Sequence, residues 1–109
     1  MENREKQFIY VLKPIQRLLK EENWTEKEEA IVERHFVKLQ ELLAEGKLIL
    51  AGKTEGLDEK TFGIVVFKAD SEEEALSIMK NDPGVAEGIM TAELFPYRVA
   101  LMKGSVSNV

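Results

Sequence analysis

Thr61-Phe62-Gly63-Ile64-Val65-Val66-Phe67-Lys68-Ala69-Asp70-Ser71-Glu72-Glu73-Glu74-Ala75 is the stretch on which the fold turns. Its first seven residues are β-branched, aromatic or glycine, the composition of a strand, and Thr61 to Phe67 is predicted as one. Successive side chains of a strand point to opposite faces, so Phe62, Ile64 and Val66 share one face and Val65 and Phe67 the other. Both faces are apolar, and both need a cover. Ser71 with Glu74 then has the spacing of a capping box, opening a helix whose Ala75, Ile78 and Met79 recur at the interval that faces a core. That helix must stop at Asn81-Asp82-Pro83, because proline excludes the helical conformation from the residue before it.

Upstream, Phe8-Ile9-Tyr10-Val11-Leu12 reads as a first strand ended by Pro14. Ile15 to Trp24 is too short an apolar pattern for a full helix and is expected as an ordered loop or a helical turn. Thr25 and Glu28 make another capping box, so a longer helix starts near Glu26. At about 100° per residue, Ile31, Val32, His35, Phe36, Leu39, Leu42 and Leu43 fall in one arc, while Glu33, Arg34, Gln40 and Glu41 point away. Gly46 supplies a left-handed cap, and Lys47 to Gly52 reads as a second strand in a hairpin with the third. Turn residues occupy Gly56 to Lys60 between the two. Downstream, Gly84 to Gly88 holds one more helical turn, and Thr91 to Leu101 reads as a fourth strand whose Pro96 requires an edge or a bulge.

The order is strand, helix, strand, strand, helix, strand: an α+β chain with a ferredoxin-like βαββαβ pattern and a four-stranded antiparallel sheet. Two helices cover one face of such a sheet. The first strand repeats the pattern of the third, with Phe8, Tyr10 and Leu12 set against Ile9 and Val11, so a second apolar face is left over. An uncovered face of that kind marks an interface, and a homodimer packed sheet against sheet is expected. A single domain over 1–103 with a small, polar, fraying tail over 104–109 accounts for the chain.

Composition narrows the function. Fifteen basic against twenty acidic residues give a net charge of −5, so no basic field exists to attract nucleic acid or anionic lipid. The charged start, Met-Glu-Asn-Arg-Glu-Lys-Gln, lacks a signal-peptide apolar core, and no apolar run approaches a membrane span. A cytoplasmic protein is expected. With no cysteine and one histidine there is no thiolate or multi-imidazole metal site, and no loop has the spacing of a calcium or magnesium site. Phosphate-loop, serine-nucleophile and dinucleotide motifs are absent too, so no cofactor and no metal is expected.

The single histidine, His35, is therefore where acid/base chemistry near neutral pH would be sought. It falls among aliphatic residues on the apolar arc of the long helix. Two readings stand: a space-filling imidazole bonded to a carbonyl, or a base facing a pocket. Tyr10 and Trp24 are candidate pocket walls, although large aromatics also serve as core. Gly52 is a candidate for close backbone approach, or simply a strand-end residue. Arg34, on the solvent side, is expected to pair along its helix with Glu29 or Glu41, and Glu72-Glu73-Glu74 needs only the helix dipole to explain it.

Several of these stretches, taken in order, resemble the YciI-like (YCII-related) family. They are Glu33-Arg34-His35-Phe36 with Leu39, Leu42, Leu43 and Glu45-Gly46-Lys47-Leu48-Ile49-Leu50-Ala51-Gly52; then Gly63 to Phe67 with Ala69-Asp70-Ser71; then Asn81-Asp82-Pro83 and Ala92-Glu93-Leu94-Phe95-Pro96-Tyr97. The resemblance covers roughly Phe8 to Leu101. It implies a ferredoxin-like protomer in a dimeric α/β barrel and a histidine/aspartate pair at the active site, mapping onto His35 and Asp82. Asp82 also reads as an ordinary turn and cap residue before proline, a role compatible with the first. Two departures stand out: the long segment Ile15 to Trp24, and Lys53 where a proline often follows Ala-Gly. The expected function is a small cofactor-independent enzyme of lyase, dehalogenase-like or proton-transfer chemistry. The alternatives are a homodimer that binds an unidentified small molecule without turnover, and a cofactor-independent monooxygenase on the same scaffold.

Overall fold

The computed structural model of the chain describes residues 6–104. Strand β1 runs Lys6–Pro14 and is followed by two 3₁₀ turns, Gln16–Leu19 and Glu21–Asn23, so the segment before the long helix is ordered and locally helical. Helix α1 (Glu26–Ala44), strands β2 (Leu48–Lys53) and β3 (Gly63–Ala69), helix α2 (Glu72–Lys80), the short turn α3 (Pro83–Ala86) and strand β4 (Met90–Tyr97) complete the order. The sheet order is β2-β3-β1-β4, with every neighbouring pair antiparallel. This is the ferredoxin-like arrangement the pattern predicts. Of the tail expected over 104–109, all but Gly104 lies outside the described residues.

Register distributes the faces. Phe8, Tyr10 and Leu12 of β1 lie opposite Phe67, Val65 and Gly63 of β3. All of these but Gly63 form the helix-side core with Leu39 and Leu42 of α1 and Ala75 and Met79 of α2. Tyr10 packs edge-on against Phe67, ring centroids 5.6 Å apart. A smaller cluster of Leu18, Ile31 and Ile89, joined by Ile15, Trp24 and Val32, fixes the 3₁₀ segment against the start of α1. On the other side of the sheet Ile9 lies between Val66 and Phe95, and Leu50 pairs with Val66. Among the described residues no helix covers that side. Leu50, Phe95 and Tyr97 remain 41–46% exposed there.

Both helix starts are capped by the predicted residues. Glu28 Oε1 accepts the Thr25 N–H at 2.9 Å and also the Thr25 hydroxyl. At α2, Ser71 Oγ accepts the Glu74 N–H at 3.1 Å, but Glu74 reaches past the cap to the Asp70 N–H at 2.6 Å, so the reciprocal half of the box is displaced by one residue. Strand β4 ends at Tyr97 instead of Leu101: Tyr97 is the last residue paired with β1, and the Val99 N–H goes to the Gln7 side chain at 2.7 Å. β4 is an edge strand, which is where Pro96 requires it to be. The apolar arc of α1 is wider than the strip the sheet covers, and Phe36 and Leu43 are left 58% exposed.

Candidate functional site

Between α1, the ends of β1, β2 and β3, and the loop joining β2 to β3 lies a cavity of about 510 Å³. That is within the ~300–1,000 Å³ of ordinary small-molecule sites. Its wall is mostly apolar, with Trp24 from the 3₁₀ segment, Val32, Phe36 and Leu39 from α1, and Leu57 and Phe62 from the loop. His35 and Gly52, both singled out from the sequence, also line it. Tyr10 does not; it is buried behind the wall. Phe36 owes its exposure to a position on the cavity rim and not to a failure of the helical pattern.

Behind His35 stands a buried polar cluster. Asp82 is fully inaccessible to solvent, yet both of its oxygens are engaged. Its Oδ1 lies 2.7 Å from His35 Nδ1 and accepts the Gly84 N–H at 2.9 Å, while Oδ2 accepts the Tyr10 hydroxyl at 2.7 Å. The sequence places it there in two ways. Pro83 ends α2 and starts α3, which makes Asp82 the N-cap of the short turn, and α3 packs against α1, the helix that carries His35. The cap and the histidine contact coexist on the same oxygen. Glycine suits position 84, since a Cβ there would fall 2.8 Å from Met90 Sδ.

The cluster fixes the imidazole chemically. Facing an ionised carboxylate, which only accepts, Nδ1 donates, and a ring in its neutral form then carries its lone pair on Nε2. No described residue bonds to Nε2, and the side chain keeps 14% of its surface accessible. Burial above all, and then the charge and hydrogen bond of Asp82, push the Tyr10 hydroxyl far above the ordinary tyrosine range, so it stays a donor. Tyr10 was legible only as a large aromatic. Its partnership with Asp82 spans 72 residues, and no local spacing announces it.

The remaining candidates resolve simply. Arg34 pairs with Glu87, 3.2 Å away beyond α3, and not along its own helix with Glu29 or Glu41 as expected. Trp24 donates its indole N–H to the Leu18 carbonyl at 2.8 Å, which holds its ring at the cavity. No grouping of three or more acidic, histidine or cysteine side chains able to hold a metal occurs among the described residues. No helix of the described residues is long and apolar enough to cross a membrane.

Residues 9–97 match the model of the YCII-related domain. The chain belongs to the YCII-related domain family. No curated protein matches it significantly. Among solved structures, this YCII-related domain is similar to a 5-chloro-2-hydroxyhydroquinone dehydrochlorinase (TftG) from Burkholderia phenoliruptrix, determined in complex with 2,5-dihydroxybenzoquinone. The TM-score is 0.63 at 21% identity, over 84% of this chain and 93% of that one. At that identity the likeness establishes a shared fold.

Proposed function

We propose that this YCII-related domain is a small enzyme that moves a proton on a compact metabolite, with His35 as general base and Asp82 as the group that orients it. One observation carries the reading: His35 lines an apolar cavity while its Nδ1 is held by a fully buried carboxylate. A histidine that served only to fill space would not need a buried charge, itself held by two further donors, to fix its tautomer. Exclusion of water from such a cavity also strengthens the hydrogen bond between Asp82 and the ring. A solved structure of the same fold is a 5-chloro-2-hydroxyhydroquinone dehydrochlorinase, and elimination or enolisation on a small ring is the chemistry we assign here.

The working form is a cytoplasmic homodimer. The uncovered sheet face, with Ile9, Leu50, Phe95 and Tyr97, is the surface that a second copy would bury to close an α/β barrel. Sedimentation at micromolar concentration tests this, and a stable monomer refutes it.

Deuterium wash-in tests the chemistry without knowledge of the natural substrate. Incubated in heavy water with a panel of cyclic 1,3-diketones and substituted hydroquinones, the protein is expected to accelerate exchange of an acidic C–H in at least one, read by proton NMR. His35→Asn should lower that rate by about 10²–10⁴-fold. Compounds that bind in the cavity without exchange in any case would identify a binding protein instead.

A further inference from the structure

The cavity's charge is not spread evenly over its wall. Three charged side chains line it: Glu33 from α1, Lys13 at the end of β1, and Lys53 at the end of β2. Thr61, the neutral hydroxyl in the wall, is already committed, donating to the Gly56 carbonyl at 3.2 Å and accepting from the Asp58 N–H at 2.9 Å. Register decides which cation belongs to the inside. Ala51 pairs with Val65, whose side chain lies in the helix-side core, and Lys53 follows two residues later on the same face, opposite Gly63. Lys13 alternates with Leu12, which is in that core, and so starts from the opposite face of β1.

The strand opposite Lys53 is kept low. A Cβ at Gly63 would come within 3.2 Å of the Gly52 carbonyl oxygen, a tight approach to backbone, while 3.5 Å from Lys53 Cβ is ordinary contact, so glycine lets the two strands lie close beside the lysine. Among the described residues, Lys53 Nζ makes one hydrogen bond, to the Thr54 carbonyl at 3.0 Å, and no carboxylate neutralises it, in contrast to Lys47, which is bridged to Glu74. An ammonium with spare donors at the edge of an apolar chamber is a receptor for an anionic oxygen.

We propose that the cavity takes a flat organic monoanion of one or two rings, with its anionic oxygen held by Lys53 and its apolar body against Trp24, Phe36 and Phe62. This rests on the reading of the cavity as a substrate site, and adds that Lys53 selects the substrate by charge while His35 faces it from α1. Glu33 on the same helix repels a second negative charge, so dianions are disfavoured.

Isothermal titration with trans-cinnamate and cinnamyl alcohol, which share a skeleton and differ in charge, tests the assignment. The expected result is a preference for cinnamate of about tenfold, the order of a hydrogen bond to a charged group. Lys53→Met should abolish the preference through loss of cinnamate affinity, and an unchanged circular dichroism spectrum and melting temperature report that the variant is folded. Lys53→Arg should keep it. Equal affinities in the wild type, a preference that survives Lys53→Met, or no binding of either compound would each overturn the proposal. His35→Asn should retain the preference. A preference for the anion in a protein that catalyses no exchange would therefore refute the enzyme reading alone, and exchange without the preference would refute this one alone.

Discussion

Two carboxylates of this molecule are each held by several donors, and they teach opposite lessons. Glu28, at the start of α1, accepts the N–H and hydroxyl of Thr25 and the Arg17 guanidinium at 3.3 Å. Asp82, at the start of α3, accepts Tyr10, His35 and the Gly84 N–H. Every bond of Glu28 ends in the scaffold: the carboxylate closes a helix end and pins the 3₁₀ segment to it. One partner of Asp82, by contrast, has a second nitrogen on a cavity wall. The first cluster stabilises a helix terminus, and the second holds one partly buried ring that lines the cavity.

Removing each carboxylate is the strongest way to break the comparison. Asp82→Ala leaves the Tyr10 hydroxyl without an acceptor in the interior and uncaps α3, and should destabilise the fold by about 3–5 kcal/mol, the range for breaking a buried charged cluster. Glu28→Ala should cost clearly less, because Glu28 is buried but its partners Thr25 and Arg17 are exposed, so water can take up the groups it frees. Urea denaturation of both variants decides. Equal losses would mean that the two clusters differ in position only.

The same pair shows what the sequence could disclose. Thr25 and Glu28 stand three residues apart, so local spacing announces the cap, and the periodicity of α1 and the alternation of β1 and β3 are legible for the same reason. The partners of Asp82 lie 47 and 72 residues away, and only the closed fold brings them together. The family resemblance supplied the His35 and Asp82 pair; nothing supplied Tyr10, because an aromatic in a central strand has the same pattern whether its hydroxyl is bonded or not. The displaced half of the second capping box and the Arg34–Glu87 pair were missed on similar grounds, since each depends on a backbone approach that spacing alone does not fix.

Tyr10→Phe sharpens the contrast next. It keeps the ring and its packing on Phe67 but leaves Asp82 Oδ2 buried without a donor, and about 1–3 kcal/mol should be lost. The raised hydroxyl pKa gives a sign. Relative to the unfolded value of 10.0, the folded chain holds the Tyr10 proton more tightly, so its contribution is complete below pH 10 and declines as alkali ionises the unfolded form. The stability difference between wild type and Tyr10→Phe should shrink above that pH. With one histidine in the chain, nitrogen NMR of the ring also reports directly whether losing Tyr10 frees the tautomer.

Glu28→Gln tests the other cluster by pH. The Thr25 side-chain and backbone bonds, with a smaller aid from Arg17, lower the Glu28 pKa from 4.5 to about 2. A group with a depressed folded pKa contributes stability above its unfolded value and loses it as pH falls through the folded one. Wild type should therefore melt above Glu28→Gln at pH 6, and the two melting temperatures should converge between pH 4.5 and about 2. A gap that persists at the acid end would mean that the carboxylate's shape, and not its charge, holds the cap.

The smallest stability effect should come from His35→Asn, and its smallness is what matters. His35 is the one member of the buried cluster with surface on the cavity, and an asparagine amide can in principle donate to Asp82 in place of Nδ1–H. Among the described residues no other hydrogen bond depends on the ring. A change within about 1 kcal/mol is expected in denaturation, against the several lost with Asp82. A structural histidine predicts the reverse order, because its replacement would open a space in the apolar arc and strand the aspartate together with it. If His35→Asn proves nearly silent in stability while deuterium exchange is lost, the scaffold holds His35 for the chemistry at Nε2. A loss comparable with that of Asp82→Ala would return His35 to the core, and the cavity would have to find its chemistry elsewhere.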